Sequence, residues 1–205
     1  MRKRMKFLVW ALPAAALALA LANAKLGGGN DLHASPTGPS KVAHQTADRV
    51  YLRRSDLVGR PGEFLPAGTR SLLNIRHAMK HGDFVWNDDG IPQGAVTIAV
   101  DLESQILSVF RDGHEIGSAV ILYGADGHDS PAGTHAILGK ARDYVSKSYD
   151  AAMPNTLWLT HDGVAIHASD VRRGRATHGC IGVPSAFAEL LFDEASVGDT
   201  VTIIA

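Results

Sequence analysis

From Val96 onward the apolar residues recur at every second position. Val96, Ile98 and Val100 alternate with Thr97 and Ala99, and Ile106, Ser108 and Phe110 continue the alternation. A period of two puts successive side chains on opposite faces, which is the pattern of a half-buried strand. Asp112-Gly113 follows, a dipeptide suited to a two-residue hairpin turn, and Ile116 with the run Ala119–Tyr123 supplies the return strand. Leu157 and Leu159, then Val164 and Ile166, predict two more strands around a turn at Asp162-Gly163, and Val201 with Ile203 predicts another. A short helix is expected over Ala186–Asp193, with Ser185 as its N-cap after Pro184. The fold class is therefore mostly β, β-rich with short helices.

The N-terminal part has a different composition. Met1-Arg2-Lys3-Arg4-Met5-Lys6 is basic, Phe7–Leu21 is apolar, and Ala22-Asn23-Ala24 offers small residues where a signal peptidase cuts. Residues 1–24 read as a secretory signal peptide, and the apolar run is short of the about 20 residues a spanning helix needs. The product is expected outside the cytoplasm, in the periplasm or cell envelope, without stable membrane insertion after cleavage. No Cys follows the apolar run to carry a lipid anchor. Cleavage removes Arg2, Lys3, Arg4 and Lys6, so Lys plus Arg falls from 20 to 16 against 21 Asp plus Glu, a net charge near −5. That balance argues against a general nucleic-acid binder.

Residues 25–47 hold Gly27-Gly28-Gly29 and Ser35-Pro36-Thr37-Gly38-Pro39-Ser40 and read as a flexible linker. Residues 48–93 read as a short, partly helical extension. There Leu72, Leu73, Ile75, Ala78 and Met79 share a helical face, and Gly82 is placed to cap it. Residues 94–205 then form the β-rich domain.

The candidate chemistry centres on Cys180, the only cysteine. It lies in Ala176-Thr177-His178-Gly179-Cys180-Ile181-Gly182, thirteen residues after His167. In an oxidising compartment structural cysteines come in pairs, so an unpaired one is a free thiol to be explained. A thiolate is the nucleophile, and a nearby imidazole takes or holds its proton. Flanking glycines allow a tight turn whose N–H groups can face a developing oxyanion. A papain-like layout, with the His after the Cys, fails because no histidine follows Cys180.

At these residues the sequence resembles a known family. Ile166-His167 followed by Thr177-His178-Gly179-Cys180-Ile181 is similar to the signature of the bacterial L,D-transpeptidase catalytic domain. Asp129-Ser130-Pro131-Ala132-Gly133-Thr134 resembles its Thr-Pro-x-Gly segment. Met153-Pro154 and Leu157-Trp158-Leu159 resemble its Met-Pro and substrate-flap region. The resemblance covers about 94–205 and implies a β-sandwich-like domain that transfers acyl groups on peptidoglycan stem peptides. It implies no metal or organic cofactor. Cys180 would attack the third-residue carbonyl of a donor tetrapeptide, D-alanine would leave, and an acceptor amine would resolve the thioester. The result would be a 3→3 cross-link or an attached protein. Carbapenem-type β-lactams would trap the same thiol.

The resemblance also implies roles. Cys180 is the nucleophile and His167 the base, its ring oriented by a neighbouring backbone carbonyl, so that Ala168 needs no polar side chain. His178 and Gly179 shape the turn, and the N–H groups of Gly179 and Cys180 form the oxyanion hole. For His178 a turn-holding hydrogen bond stands beside proton transfer, and Thr177 makes a local hydrogen bond. One position departs: where the family often has Arg or Asn two residues after the Cys, this chain has Gly182. Arg172, Arg173 and Arg175, on the loop between His167 and Cys180, are the candidate cations for substrate carboxylates, with a solvated loop as the alternative.

Three other readings are open at this level. His167, His178 and Cys180 are potential zinc ligands, but a fourth is unassigned. A wall-binding module would keep Cys180 buried and inert. An L,D-carboxypeptidase or amidase would share the acyl-enzyme and use water as acceptor.

Overall fold

The computed structural model describes residues 48–53 and 65–205. The signal segment 1–24 and the linker 25–47 lie outside the described residues.

The alternating segments form strands as expected. In chain order the strands are β1 (Arg49–Tyr51), β2 (Ser71–Leu73), β3 (Phe84–Trp86), β4 (Val96–Asp101), β5 (Ile106–Arg111), β6 (His114–Val120) and β7 (Gly133–Ala136). There follow β8 (Gly139–Ala141), β9 (Val145–Ser146), β10 (Ala151–Ala152), β11 (Thr156–Trp158), β12 (Ala165–Ser169) and β13 (Ile181–Pro184). The helix α1 (Ser185–Glu194) and the strand β14 (Thr200–Ile204) complete the described chain. The larger sheet runs β1-β2-β6-β5-β4-β14-β7, with β3 also on β6, and the smaller runs β13-β12-β11-β8. β9 and β10 pair as a separate hairpin.

The β5–β6 hairpin turns at Asp112-Gly113, where φ is +47° and +77°. Two left-handed residues in a row match the twist of the flanking strands. The inward side chains of the larger sheet, among them Ile98, Val100, Leu107 and Ile116, meet Leu157, Ile166 and Ile181 of the smaller sheet and Phe187 and Leu191 of α1 in one core.

Two expectations are corrected. The described part of 48–93 contains three strands and no helix. Leu72 and Leu73 belong to β2, which pairs antiparallel with β1 and meets β6 at His114. Side chains fix that choice: the buried Glu115 carboxylate accepts the Leu73 N–H at 2.9 Å, and Ser71 Oγ lies 2.8 Å from His114 Nδ1. These partners are distant in sequence, so helical periodicity does not report them. The second correction is the cap of α1. Pro184 holds that place, because it still pairs with Ser169 as the last residue of β13, and Ser185 is the first helical residue.

The far end of α1 is anchored by cations. Lys140 Nζ donates to the Phe192 carbonyl at 2.5 Å and to the Ala195 carbonyl, satisfying acceptors that a helix end leaves open. Arg111, only 3% exposed, donates to Glu194 through Nε at 2.7 Å and Nη2 at 2.5 Å. Its Nη2 also reaches Asp88 at 3.2 Å. The helix that follows the cysteine strand is thereby fixed to β5.

Its inner face is fixed by an aromatic cluster. Phe187 meets Phe84 and Trp86 edge-on, with centroids 5.6 and 5.5 Å apart. A Cβ at Gly117 would lie 2.4 Å from Trp86 and 3.1 Å from Phe187. Gly117→Ala is therefore expected to lower stability by about 1–3 kcal/mol, the usual cost of overpacking a core. Urea unfolding checks this as a lower midpoint at constant m. An unchanged midpoint would show that the aromatic pair moves aside freely.

Candidate active site

β12 and β13 run parallel, with His167 opposite Gly182. Carrying the register back two residues places Cys180 level with Ala165, on the same face as His167 and one diagonal step from it. His167 therefore lies within β12, which extends three residues past the strand end expected at Ile166. Both side chains line one cavity of about 480 Å³, together with Met153, Ser169, Arg175 and His178.

The imidazole of His167 is oriented by backbone, as the family resemblance implied. Its Nδ1 lies 2.8 Å from the carbonyl oxygen of Ala168. A carbonyl only accepts, so Nδ1 carries the proton and Nε2 is left with its lone pair. Ser169 Oγ lies 3.4 Å from the same Nδ1. Burial pushes the His167 pKa below its ordinary value, and the Ala168 hydrogen bond offsets this in part. Burial pushes the Cys180 thiol up, against a backbone hydrogen bond at Ala165, and Sγ lies 3.9 Å from the Gly163 carbonyl. Both shifts have one cause, the low-dielectric surroundings, and both favour the neutral form. The resting pair is a thiol and an imidazole.

The turn bearing Cys180 is held from several directions. Gly179 has φ of +103°, a conformation that side chains disfavour. Thr177 Oγ1 donates to the Cys180 carbonyl at 2.5 Å, the local bond expected of it. Leu122 and Gly182 exchange backbone hydrogen bonds of 2.8 Å in both directions. The Thr177 N–H donates to Tyr123 at 2.9 Å, and the Thr177 carbonyl accepts from Ala125 at 3.1 Å. The chain beyond β6 thus grips both ends of the turn. Buried Ser130 adds a side-chain bond, donating to the Gly179 carbonyl at 2.9 Å.

The other sequence candidates separate. His178 is exposed, and its ring is taken up by ring contacts. It stacks on Tyr149 at 4.8 Å and 23°, and meets His128 edge-on at 4.9 Å. Tyr149 lies on the loop between β9 and β10, so this contact joins that loop to the cysteine turn. Of the three arginines, Arg175 lines the cavity. Arg172, outside the lining, pairs with Asp170, which is in it, with Nε 2.7 Å from Oδ2; Arg175 also approaches Asp170 Oδ2 at 3.9 Å, and Arg173 is exposed outside the lining. Tyr149, Ser130 and Ser169 carry no chemical signature of their own in the sequence. Ser130 alone had a signal, its place before Pro131 in the Thr-Pro-x-Gly-like segment.

The family model of the YkuD L,D-transpeptidase catalytic domain matches residues 95–203. Among solved structures, the chain is similar to an L,D-transpeptidase from Stackebrandtia nassauensis at 24% identity and a TM-score of 0.51, over 57% of this chain and 60% of that one. It is similar to an L,D-transpeptidase from Mycobacterium smegmatis at 23% identity and 0.51, over 54% and 58%. A mutant L,D-transpeptidase from Enterococcus faecium matches at 25% identity and 0.50, over 55% and 50%. The chain spans less than two thirds of each of these chains. None of the curated proteins matches it.

The departure at Gly182 has a structural counterpart. A Cβ there would lie 2.7 Å from Ser169 Oγ and 2.8 Å from Ser169 Cβ. The space of a side chain two residues after the cysteine is occupied by a serine from the neighbouring strand. Gly182→Asn alone is expected to displace β12 and lower stability by about 1–3 kcal/mol, as overpacking does. Combined with Ser169→Gly it should recover most of that loss, because the sites share one space. Unfolding of the two single variants and the double variant checks this, and additive losses would show that the two positions do not compete.

Proposed function

The chain belongs to the L,D-transpeptidase catalytic-domain family, and on that premise we propose that it is an exported cysteine acyltransferase acting on peptidoglycan stem peptides. The observation that carries this reading is the hydrogen bond from His167 to the Ala168 carbonyl. It leaves Nε2 as a free base in the cavity that also holds the only cysteine.

The reaction follows from that arrangement. As Sγ of Cys180 attacks the third-residue carbonyl of a donor tetrapeptide, its proton passes to Nε2 of His167. The N–H groups of Gly179 and Cys180 receive the oxyanion. When it collapses, the bond to D-alanine breaks, the imidazolium gives its proton to the departing amine, and a thioester remains on Cys180. An acceptor amine then attacks the thioester and loses its proton to His167, which returns it to the thiolate. The product is a 3→3 cross-link or an attached protein. Arg175, on the cavity wall, is the cation placed to receive a stem-peptide carboxylate. Export by removal of residues 1–24 completes the reading.

Incubation with a carbapenem tests the nucleophile. Sγ should open the lactam while the ring nitrogen takes the thiol proton, so intact mass rises by the whole drug, and Cys180→Ala should show no adduct. Purified peptidoglycan then tests the acceptor. Muropeptide mass analysis should show 3→3-linked dimers, whereas loss of D-alanine without dimers would assign a hydrolase. No adduct and unchanged muropeptides would overturn the enzymatic reading.

The neutral resting pair sets the pH dependence. Activity needs the unprotonated imidazole, so it falls as pH drops through the His167 pKa. Burial lowers that pKa, so the acid limb of kcat/KM for acylation should have its midpoint below about 6.5. The raised thiol pKa should keep the alkaline limb above about 8.5. Acylation rates measured across pH check both limbs. An acid midpoint well above 6.5 would show that burial does not depress the His167 pKa.

A further inference from the structure

We propose that Ser130 is a positioning residue for the oxyanion hole, its hydroxyl holding the Gly179–Cys180 peptide so that the Cys180 N–H is aimed into the cavity. The proposal rests on the cysteine acyltransferase reading and names a residue through which that site works.

Ser130 is buried, 6% exposed, and stands apart from the residues that line the cavity. Its Oγ accepts the Gly124 N–H at 3.0 Å. The same Oγ lies 2.9 Å from the Gly179 carbonyl oxygen. Since the Gly124 N–H is a donor and the carbonyl an acceptor, the single hydroxyl proton of Ser130 points at Gly179. A peptide unit is planar and trans, so its C=O and N–H point in opposite directions. Pinning the Gly179 oxygen toward Ser130 therefore directs the Cys180 N–H away from the buried side, to the side where Cys180 lines the cavity.

Such a lock has a purpose at this position. Gly179, with φ of +103°, occupies a conformation only glycine adopts readily, and a glycine peptide rotates at little cost. Left unheld, the Gly179–Cys180 peptide could turn its carbonyl into the cavity and present an acceptor where a donor is needed. The anchor is itself fixed. Ala125 donates to the Thr177 carbonyl at 3.1 Å, and His128 closes back on the Ala125 carbonyl at 2.8 Å. A Cβ at Gly124 would fall 1.8 Å from the His128 carbonyl oxygen, so this loop packs against its own backbone and leaves Ser130 one place to sit.

The test separates aim from folding. In the full chain, the parent, Ser130→Ala and Ser130→Thr are compared for maximal acylation rate by a saturating carbapenem and for alkylation of Cys180 by iodoacetamide. Alkylation is a displacement at carbon that forms no oxyanion, so it reports the thiol and the fold without the hole. Ser130→Ala should lower maximal acylation by about tenfold or more, toward the 10²–10³-fold that loss of one oxyanion donor costs. Its alkylation rate should stay at the parent value. Ser130→Thr, which keeps the hydroxyl, should restore acylation to within a few fold of the parent.

If Ser130→Ala acylates at the parent rate, the positioning role is overturned. It is overturned equally if acylation and alkylation fall together, because the change then acts on the whole fold or on the thiol. Failure of Ser130→Thr to restore the rate, while it alkylates and unfolds like the parent, also counts against the hydroxyl. A parent that alkylates normally but never reacts with the carbapenem would overturn the acyltransferase reading, and the positioning role with it.

Discussion

The backbone exchange between Leu122 and Gly182 is the constraint on which the site depends. β6 leaves the larger sheet at Val120, and its continuation runs to the smaller sheet, where Leu122 and Gly182 bond in both directions at 2.8 Å. Tyr123 and Ala125 then take hold of Thr177 from both sides of its peptide. The turn carrying Cys180 is thus held at 177 and at 182 by one extended segment, and the sulfur sits between these points. Side chains would hold it less firmly, because each would bring its own rotamer freedom. Backbone pairing also lets the turn be made of small residues, which leaves room for a substrate carbonyl beside the thiol.

Burial has opposite effects on the two reacting groups, and the site uses both. Removing water raises the thiol pKa and lowers the imidazole pKa, so neither is charged at rest. A permanent ion pair would be more nucleophilic, and in an oxidising compartment it would also be more exposed to oxidation, which follows thiolate character. In the proposed reaction the neutral pair would become charged only when a carbonyl is in place and the N–H groups of the turn can receive its negative charge. The aim of those N–H groups would then be the deciding factor, since no preformed thiolate would compensate for a misplaced donor. The stacking of Tyr149 on His178 ties the β9–β10 loop to the same turn.

The sequence exposed the parts of this design that repeat or react. β4, β5, β11, β12 and β14 were legible as strands from their alternation, although in β5 the fully buried face carries Leu107 and Val109 and not the Ile106, Ser108 and Phe110 set. Cys180 and His167 were legible because their chemistry needs those residue types. The stretch Leu72–Met79 was misread because five apolar residues also fit a helical face, while the forces that make Ser71–Leu73 a strand come from Arg49–Tyr51 and Glu115, far away in sequence. The arginine loop was legible as a cluster only. That Arg172 and Arg175 both approach Asp170 while only Arg175 joins it in the cavity lining depends on the path of the folded loop. Ser169 was invisible as a site residue, and Ser130 was marked only by its place before Pro131, for the same reason: a serine gains its role from the group that folding sets against it.

The exchange of space between Gly182 and Ser169 shows how such a site accommodates a changed residue. The positions lie on adjacent parallel strands, with His167 opposite Gly182 and Ser169 two residues further along on the same face. Any side chain at 182 points at the one at 169, so the face holds one polar group of that size, supplied by either strand. When the serine supplies it, the hydroxyl comes within 3.4 Å of His167 Nδ1 and joins the Ala168 carbonyl in holding the ring. The imidazole thereby has a second nearby acceptor, and the cavity beside the sulfur is left without a side chain at 182. Of the arginines between His167 and Cys180, Arg175 lines the cavity wall, with Asp170 3.9 Å from its guanidinium. On the proposed function, a substrate carboxylate would share that guanidinium with Asp170.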